Sequence, residues 1–440
     1  MPCSRANDPE VIQSRLSGLL EVLAAYNSAM RVRAWAASGA VAAIIGCTGC
    51  SGAIAHPQAS QSGRNSAASA TVALPTDGLP SPGCSTATAG SSLLSRVRTA
   101  MVPVPGSPFG VVVTPDERWA FAALINSVEV LRLGPALAPV KVRAIAMPAT
   151  SEAVGETLTR DGRYLLAASG RGAVVISVAR AEQGSPGAVL GTLTDPTGGA
   201  GGIEVAVSPD GSFAFVTLEG SQRAAVFDLH RALTRGFGPG DYVGSIPLGL
   251  APVGMAVSPD GRWLYATSEV AARTGANQGS LTVISLPRAE ADPAASVVAT
   301  VAAGCNPVRV VTSVDGREVW VTARESDDLL CFSAAALRAD PSRALVAIVR
   351  VGEAPVGLML VRGGSVIVVA DSNRFGAPGA RSDLSVVDVA EALAGRPAVI
   401  GRIPAGQFPR EMALAPDGRR LLVTNFASGQ LEAVSVPSIP

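Results

Sequence analysis

Three charged residues occupy the same place relative to a short sequence pattern that recurs along the chain. Glu204, Arg309 and Glu411 each lie four positions before the first residue of that pattern, and Glu156 and Arg410 lie directly beside the same place. Charged side chains persist in a narrow space only when they are paired, hydrated or bound to a ligand. These five residues are therefore the candidate ligand-binding residues. The alternative is a solvated ring of salt bridges that binds nothing.

The recurring pattern is a turn of the Ser/Thr-x-Asp-Gly type. Asp-Gly supplies the positive φ angle of a tight hairpin, and a preceding proline presets the direction of the chain. A degenerate copy lies at Arg362–Ser365, and the other copies are Thr114–Trp119, Thr159–Tyr164, Ser208–Phe213, Ser258–Trp263, Ser313–Glu318 and Ala415–Arg420. Their mean spacing of about 50 residues is typical of the blades of a β-propeller.

The runs around each turn predict the fold. Each turn lies between two short β-type runs, such as Gly254–Val257 and Trp263–Thr267, and two further runs follow. Four strands in each of seven repeats predict an all-β, seven-bladed β-propeller of four-stranded antiparallel blades over residues 93–440.

The last blade lacks a strand at its end of the chain. Gln430–Pro437 is its third run, whereas Arg96–Val104 precedes the first blade and belongs to none. Because an unclosed ring leaves strand edges exposed, we expect the N-terminal run to complete the last blade. Removing the chain through Ser92 is expected to leave stability unchanged, whereas removing it through Val104 is expected to lower it.

With these turns, the chain resembles the YVTN-repeat family of bacterial propellers, also described as lactonase-like seven-bladed propellers. The resemblance also rests on Leu422–Asn425 and on a Gly-x-x-Pro-x-Gly connector at Gly249–Gly254 and Gly352–Gly357. It implies the propeller fold and says little about activity, because that fold hosts binding proteins and enzymes alike. No catalytic residue of the family is carried over to this chain.

A signal sequence precedes the repeats. Arg31 and Arg33 are followed by the apolar stretch Ala34–Gly46, which is too short to cross a ~30 Å hydrocarbon core and suits a signal peptide. The stretch leads into Cys47 through Ile-Ile-Gly, which resembles a bacterial lipobox. Residues 30–46 are therefore predicted to be a lipoprotein signal peptide and Cys47 to be lipidated. The alternatives are lipidation of Cys50 and ordinary cleavage near residues 53–55.

Two segments flank this signal. Residues 1–29 are interpreted as a mis-assigned start, with translation beginning at Met30, or as a cytosolic extension. Residues 47–92 are rich in Ser, Ala, Gly and Pro without periodicity, which predicts a flexible tether. The expected location is thus the outer side of the bacterial cell membrane.

Beyond Cys47 and Cys50, the chain has three further cysteines toward its C-terminus. Cys305 lies in the connector before blade 5, and Cys331 lies early in the third strand of that blade. Because the second strand separates them, a disulfide between them needs help from the loop, and two free buried thiols are favoured. Cys84 is placed in the tether.

Composition restricts the function classes. Charged residues make up 16% of the chain, aromatic residues 4%, and the formal net charge is zero, which argues against nucleic-acid binding. With two histidines, no His-rich metal site is expected. We expect a monomeric binding platform for an envelope protein, peptide or glycan, without a cofactor. The alternative is a lactonase-like or other hydrolase that uses carboxylates at the channel mouth, with or without a divalent cation.

Two long loops are expected to open on the face that carries the charged residues. They are Glu269–Gly279 and Ser372–Arg381, and each contains an Arg-x-Gly-Ala segment, at Arg273–Ala276 and Arg374–Ala377. The hypothesis is that these loops gate the site.

Overall fold

A ring of seven antiparallel sheets follows from the repeated turns. The computed structural model describes residues 79–85, 87–271, 278–376 and 382–440, and within them 28 strands form seven four-stranded sheets. The prediction of a seven-bladed β-propeller is confirmed. None of the helices in these ranges is long and apolar enough to cross a membrane.

Each blade runs from an innermost strand at the channel to an outermost strand at the rim. The innermost strands of blades 1 to 7 are β2 (Val111–Val113), β6 (Glu156–Leu158), β10 (Gly202–Val207), β14 (Leu250–Val257), β18 (Pro307–Thr312), β22 (Pro355–Val361) and β26 (Pro409–Leu414). The second strands are β3 (Trp119–Ala123), β7 (Tyr164–Ser169), β11 (Phe213–Leu218), β15 (Trp263–Val270), β19 (Glu318–Ala323), β23 (Val366–Asp371) and β27 (Arg420–Asn425). The third strands are β4 (Ser127–Arg132), β8 (Gly172–Ser177), β12 (Arg223–Asp228), β16 (Gln278–Ser285), β20 (Asp328–Ser333), β24 (Asp383–Asp388) and β28 (Gln430–Ser435). The outermost strands are β5 (Val140–Ala146), β9 (Val189–Thr194), β13 (Tyr242–Pro247), β17 (Val297–Cys305), β21 (Leu345–Arg350), β25 (Val399–Pro404) and, in blade 7, β1 (Thr99–Pro103).

The turns between first and second strands are held by one hydrogen-bond pattern. In blade 3 the Ser208 hydroxyl donates to Oδ1 of Asp210 at 2.6 Å and accepts from the amide of Phe213 at 2.9 Å. Gly211 has a φ of 75°, which a residue without a Cβ adopts readily. Side chains thus satisfy backbone groups that the tight turn leaves unpaired.

The N-terminal strand closes the ring as predicted. β1 pairs antiparallel with β28, from Thr99 opposite Val434 to Pro103 opposite Gln430. Val102 is buried in this contact. Blade 7 therefore combines three strands from the C-terminal end of the chain with one from near residue 100.

Five short helices, which the four-run repeat did not predict, follow third strands. Asp228 accepts a hydrogen bond from the amide of Arg231 at 2.8 Å and so ends the third strand of blade 3 and caps a helix. The amide of His230 donates to the carbonyl of Ser212, which places this helix beside the turn of its blade. The helices are Val178–Gln183, Leu229–Arg235, Leu286–Ala291, Ala334–Ala339 and Val389–Leu393.

The prediction that Cys305 is a free buried thiol is wrong. It forms a disulfide with Cys84, with 5.3 Å between the two Cα atoms, while Cys331 is buried and free. Cys305 ends the outermost strand of blade 4, at an edge that the N-terminal segment can reach. Cys331 lies in the middle of a third strand and is enclosed by its own blade.

Residues 79–85 and 87–92, which composition assigns to a tether, lie against the propeller. Besides the disulfide, the amide of Ser85 donates to the carbonyl of Glu325 and the amide of Ala89 to that of Val351. The amide of Gly304 donates to the Ser81 hydroxyl at 2.8 Å. Removing the chain through Ser92 therefore removes a cross-link and several hydrogen bonds, so unchanged stability is no longer the expectation.

Candidate functional site

Three of the predicted charged residues meet across the central channel. Arg309 comes from blade 5, Glu411 from blade 7 and Glu204 from blade 3, so no two of them come from neighbouring blades. The Nε of Arg309 donates to Oε1 of Glu411, and its Nη2 lies 3.4 Å from Oε2 of Glu204. The guanidinium thus spans the channel and pairs with carboxylates on both sides.

Glycine occupies the equivalent position in the other four blades because neighbouring strands approach too closely for a side chain. A Cβ at Gly357 would lie 2.2 Å from the carbonyl oxygen of Arg410, and one at Gly110 would lie 2.6 Å from that of Val154. At this equivalent position, side chains are consequently confined to blades 3, 5 and 7.

Glu156 adds a third carboxyl group from blade 2. Its residue is 7% exposed, it lines the channel, and neither of its carboxylate oxygens makes a full hydrogen bond. Burial raises the pKa of Glu156 to about 8; the nearby amide of Ala123 opposes this rise, and the charge of Glu204 adds to it. Glu156 is therefore a buried acid without a cationic partner of its own.

The other ionisable groups of the channel are also shifted. Burial raises the pKa of Glu204 to about 8, an effect that Arg309 opposes and Glu411 reinforces. Burial works against the charge of Arg309, but the pairing with Glu411 and Glu204 raises its pKa above the ordinary value. The channel therefore holds one permanent cation and three carboxyl groups.

An apolar layer fills the channel on the side where the blades are connected to one another. Its buried side chains, one from each blade, form a single cluster around the axis: Phe109, Val154, Ile203, Val253, Val308, Val356 and Phe408. Each of them lies in the first half of an innermost strand or just before it, on the connector side of the charged residues. The charged group is thus covered on the connector side.

On the opposite side a cavity of about 380 Å³ runs from the charged residues toward the turns. Val113, Leu158 and Leu414 line it where the innermost strands end, and all three are half-buried rather than buried. Met255 and Met359 line its wall. The channel is therefore a pocket with apolar walls that opens at the turn end and is closed just beyond the charged residues.

Arg410, the fifth predicted residue, does not join the ion-paired group. Its guanidinium lies 3.6 Å from the centre of the Phe109 ring, and Phe408 and Phe426 flank it at 5.4 and 5.6 Å. Burial lowers the pKa of Arg410 to about 9, and Arg309 contributes in the same direction. Residue spacing does not predict this aromatic cluster, and the only local indication of it is Phe408 in the connector before blade 7.

The loops that were predicted to gate the site fall partly outside the described residues. Arg273–Ala276 lies in the gap 272–277, and the second segment is described only as far as Gly376. Both loops join a second strand to a third strand and so leave their blades at the connector end, whereas the cavity opens at the turn end. Gating stays a prediction, and the position of the cavity does not support it.

In the part of the chain that the structure covers, no group of three or more His, Cys, Asp or Glu side chains could hold a metal ion.

Comparison with known proteins supports the fold. No family profile matches the chain, and no curated protein matches its sequence. The hydrazine synthase of Kuenenia stuttgartiensis has a similar structure, with a TM-score of 0.60 and 18% identity over 77% of this chain and 97% of that one. A chain in the crystal structure of a mitotic checkpoint complex is similar with a TM-score of 0.59 and 13% identity, over 89% of this chain and 99% of that one. At these identities the likeness establishes the propeller fold, which is usable as a binding platform, and nothing more.

Proposed function

We propose that this protein is a lipid-anchored binding platform on the outer side of the cell membrane and that it holds a small polar ligand in its central channel. The ligand is a free molecule or the polar end of an envelope peptide, protein or glycan. The observation that carries the binding function is the buried, unpaired carboxyl group of Glu156 beside the ion-paired group of Arg309.

The energetics of burial support a ligand rather than a purely structural role. Removing a carboxyl group from water without a hydrogen-bond partner costs free energy, and most buried polar groups in folded proteins have partners. Glu156 lines a cavity that is open to solvent at one end and has room for a small molecule. A ligand that binds there supplies the missing partner.

The disulfide supports the proposed location. Bonds such as Cys84–Cys305 form and persist in oxidising compartments outside the cytoplasm and are rare inside it. The lipobox at Cys47 lies outside the described residues, and lipidation rests on the sequence pattern alone.

Metabolic labelling with a fatty-acid analogue tests the anchor. The wild-type chain and a Cys50→Ala variant should be labelled and recovered in the membrane fraction, whereas Cys47→Ala should lose both properties. Loss of the label only in Cys50→Ala would move the anchor to the other cysteine. An unlabelled wild-type chain would overturn the lipoprotein proposal.

A thermal-shift panel of amines, carboxylates, sugars and short peptides tests the binding function. At least one compound should raise the melting temperature of the wild-type chain, and Glu411→Gln and Arg309→Met should each change its binding at least about tenfold, or 1.4 kcal/mol. The exposed pair Arg317 and Asp315 provides the control, because Arg317→Met should leave binding unchanged. Binding that is unchanged by both channel substitutions would overturn the proposal.

A further inference from the structure

The closed end of the channel carries an excess of acidic groups. Glu156, Glu204 and Glu411 face one ion-pairing guanidinium there, that of Arg309. Arg410 acts on Glu204 and Glu411 through its charge but forms no ion pair with them. Arg309 is engaged by Glu411 and Glu204 through Nε and Nη2, while its Nη1 is buried without a hydrogen-bond partner, and Glu156 has no ion-pair partner of its own. The counter-charge that this site lacks is positive.

An anionic ligand fits this arrangement poorly. An anion that approached Arg309 would have to compete with Glu411 and Glu204, and it would lie near the third carboxyl group of Glu156. Like charges brought together at low dielectric repel each other strongly. A cation placed beside Glu156 and Glu204 instead lowers the energy of both carboxylates.

The walls of the cavity indicate what the rest of the ligand is. Between its open end and the acidic groups the cavity is lined by Leu158, Met255, Val311 and Met359. Apolar walls favour an apolar chain, at about 25 cal/mol for each Å² removed from water. Methionine side chains are flexible and adapt to chains of different shape.

We propose that the channel binds a small organic cation, an alkylammonium compound, that enters from the turn end and places its ammonium group beside Glu156 and Glu204. This inference rests on the proposed binding function and names the chemical class of its ligand. The ammonium group has three donors, which suits carboxylate oxygens that lack partners. The alkyl chain lies along the methionine-lined wall.

Calorimetric titration of the purified full chain with three probes of equal chain length tests the class. n-Hexylammonium should bind at least about tenfold more tightly than 1-hexanol, and hexanoate should bind more weakly than either. Because burial raises the pKa of Glu156 and Glu204 to about 8, most of each carboxyl population is protonated at neutral pH. Binding of the cation should therefore release protons, which titrations in buffers of different ionisation enthalpy measure.

Substitution of the carboxyl groups tests the position. Glu156→Gln and Glu204→Gln should each weaken n-hexylammonium binding at least about tenfold. Glu129→Gln is the matched control, since Glu129 is a buried glutamate of strand β4 that does not line the cavity. Unchanged binding in both channel variants would overturn the proposal.

Two bulky substitutions, one in blade 2 at the turn end and one in blade 1 at the connector end, test the direction from which the ligand enters. Leu158→Trp fills the turn end of the cavity and should abolish binding, whereas Ile125→Trp, beside Ala153 at the connector end, should not. The reverse result would show that the ligand enters through the connector side and would overturn this part of the proposal.

The outcomes separate this inference from the proposed function. If hexanoate binds and Arg309→Met abolishes its binding, the channel is a ligand site but the cationic class is wrong. If none of the three probes binds while a compound of the thermal-shift panel does, the class is again wrong and the binding function stands. If nothing binds in either experiment, both are wrong.

Discussion

Acidic side chains at the two ends of the innermost strands have pKa values that are shifted in opposite directions. At the turn end, hydrogen bonds from Ser208 and Ser258 lower the pKa values of Asp210 and Asp260. Toward the other end of the innermost strands, burial raises the pKa values of Glu156 and Glu204 to about 8. The turns hold their carboxylates ionised near solvent with partners only two to five residues away, whereas the channel buries its carboxyl groups with too few partners.

The turns therefore serve the stability of the fold, whereas the channel residues are the candidates for function. A repeated local pattern that satisfies every polar group stabilises the fold and leaves nothing to be bound. The channel residues break the repeat, come from only four of the seven blades, and remain incompletely paired. Proteins accept such conflicts mainly at functional sites.

The largest expected effect comes from removing β1, the strand that completes blade 7. This blade carries both a repeated turn, Ala415–Arg420, and the channel residue Glu411. Relative to a chain that lacks residues 1–78, loss of residues 1–92 removes the Cys84–Cys305 bond and should lower the melting temperature by several degrees. Loss of residues 1–104 also removes β1 and should lower it by about 10 °C in total. Equal melting temperatures for the three chains, measured by circular dichroism, would contradict ring closure by β1.

Breaking the ion pairs of the channel should have the next largest effect. Arg309→Met leaves Glu411 and Glu204 without their cation, and loss of one partner from a buried pair costs about 3 kcal/mol. Arg317→Met, which breaks an ion pair at the exposed turn of blade 5, should change stability by less than about 0.5 kcal/mol. Urea unfolding at neutral pH measures both. Similar losses in the two variants would show that the channel pair is no more buried than the turn pair.

The pH dependence of stability should have opposite signs at the two ends. Glu156 has a raised pKa in the folded state, so its contribution is complete below about 4.5 and is lost as the pH rises through about 8. Asp260 has a lowered pKa, so its contribution is present above 3.8 and is lost as the pH falls further.

Unfolding from pH 3 to pH 9 measures this contrast. Glu156→Gln should lose less stability than the wild type between pH 5 and pH 9, and Asp260→Asn should lose less only below about pH 4. Parallel pH profiles for the wild type and Glu156→Gln would contradict a buried, unpaired carboxyl group.

The smallest expected effect concerns a single turn. Ser258→Ala removes the hydroxyl that joins Asp260 at 2.5 Å and the Trp263 amide at 3.0 Å, and should cost about 1 kcal/mol. Blade 7 carries alanine at this place naturally, so Ala415→Ser should stabilise the chain by up to about 1 kcal/mol. Chemical unfolding measures both, and a neutral result for the pair would show that the turn hydroxyl contributes nothing to stability.

The fold could be predicted from the sequence because its signals are local and recur. The Asp-Gly turns fixed the number of blades, and the unmatched run at Arg96–Val104 predicted how the ring closes. The Cys84–Cys305 bond could not be predicted, because it joins residues 221 positions apart and Cys84 lies in a segment without any periodic pattern.

The charged group of the channel could be predicted only in part. Counting back from the turns identified Glu204, Arg309 and Glu411, because equivalent positions of a propeller face one axis. The position of Arg410 among phenylalanines and the apolar layer on the connector side depend on packing between blades, which sequence spacing does not encode. Sequence spacing therefore could not predict at which end the channel opens.

A crystal structure of the full chain with n-hexylammonium tests the central claim most directly. The account predicts the ammonium nitrogen within hydrogen-bond distance of Glu156 and Glu204, with the alkyl chain extending past Met359 toward the turn end. An empty channel under conditions in which calorimetry shows the compound bound, or an ammonium group at any other place on the propeller, would contradict it.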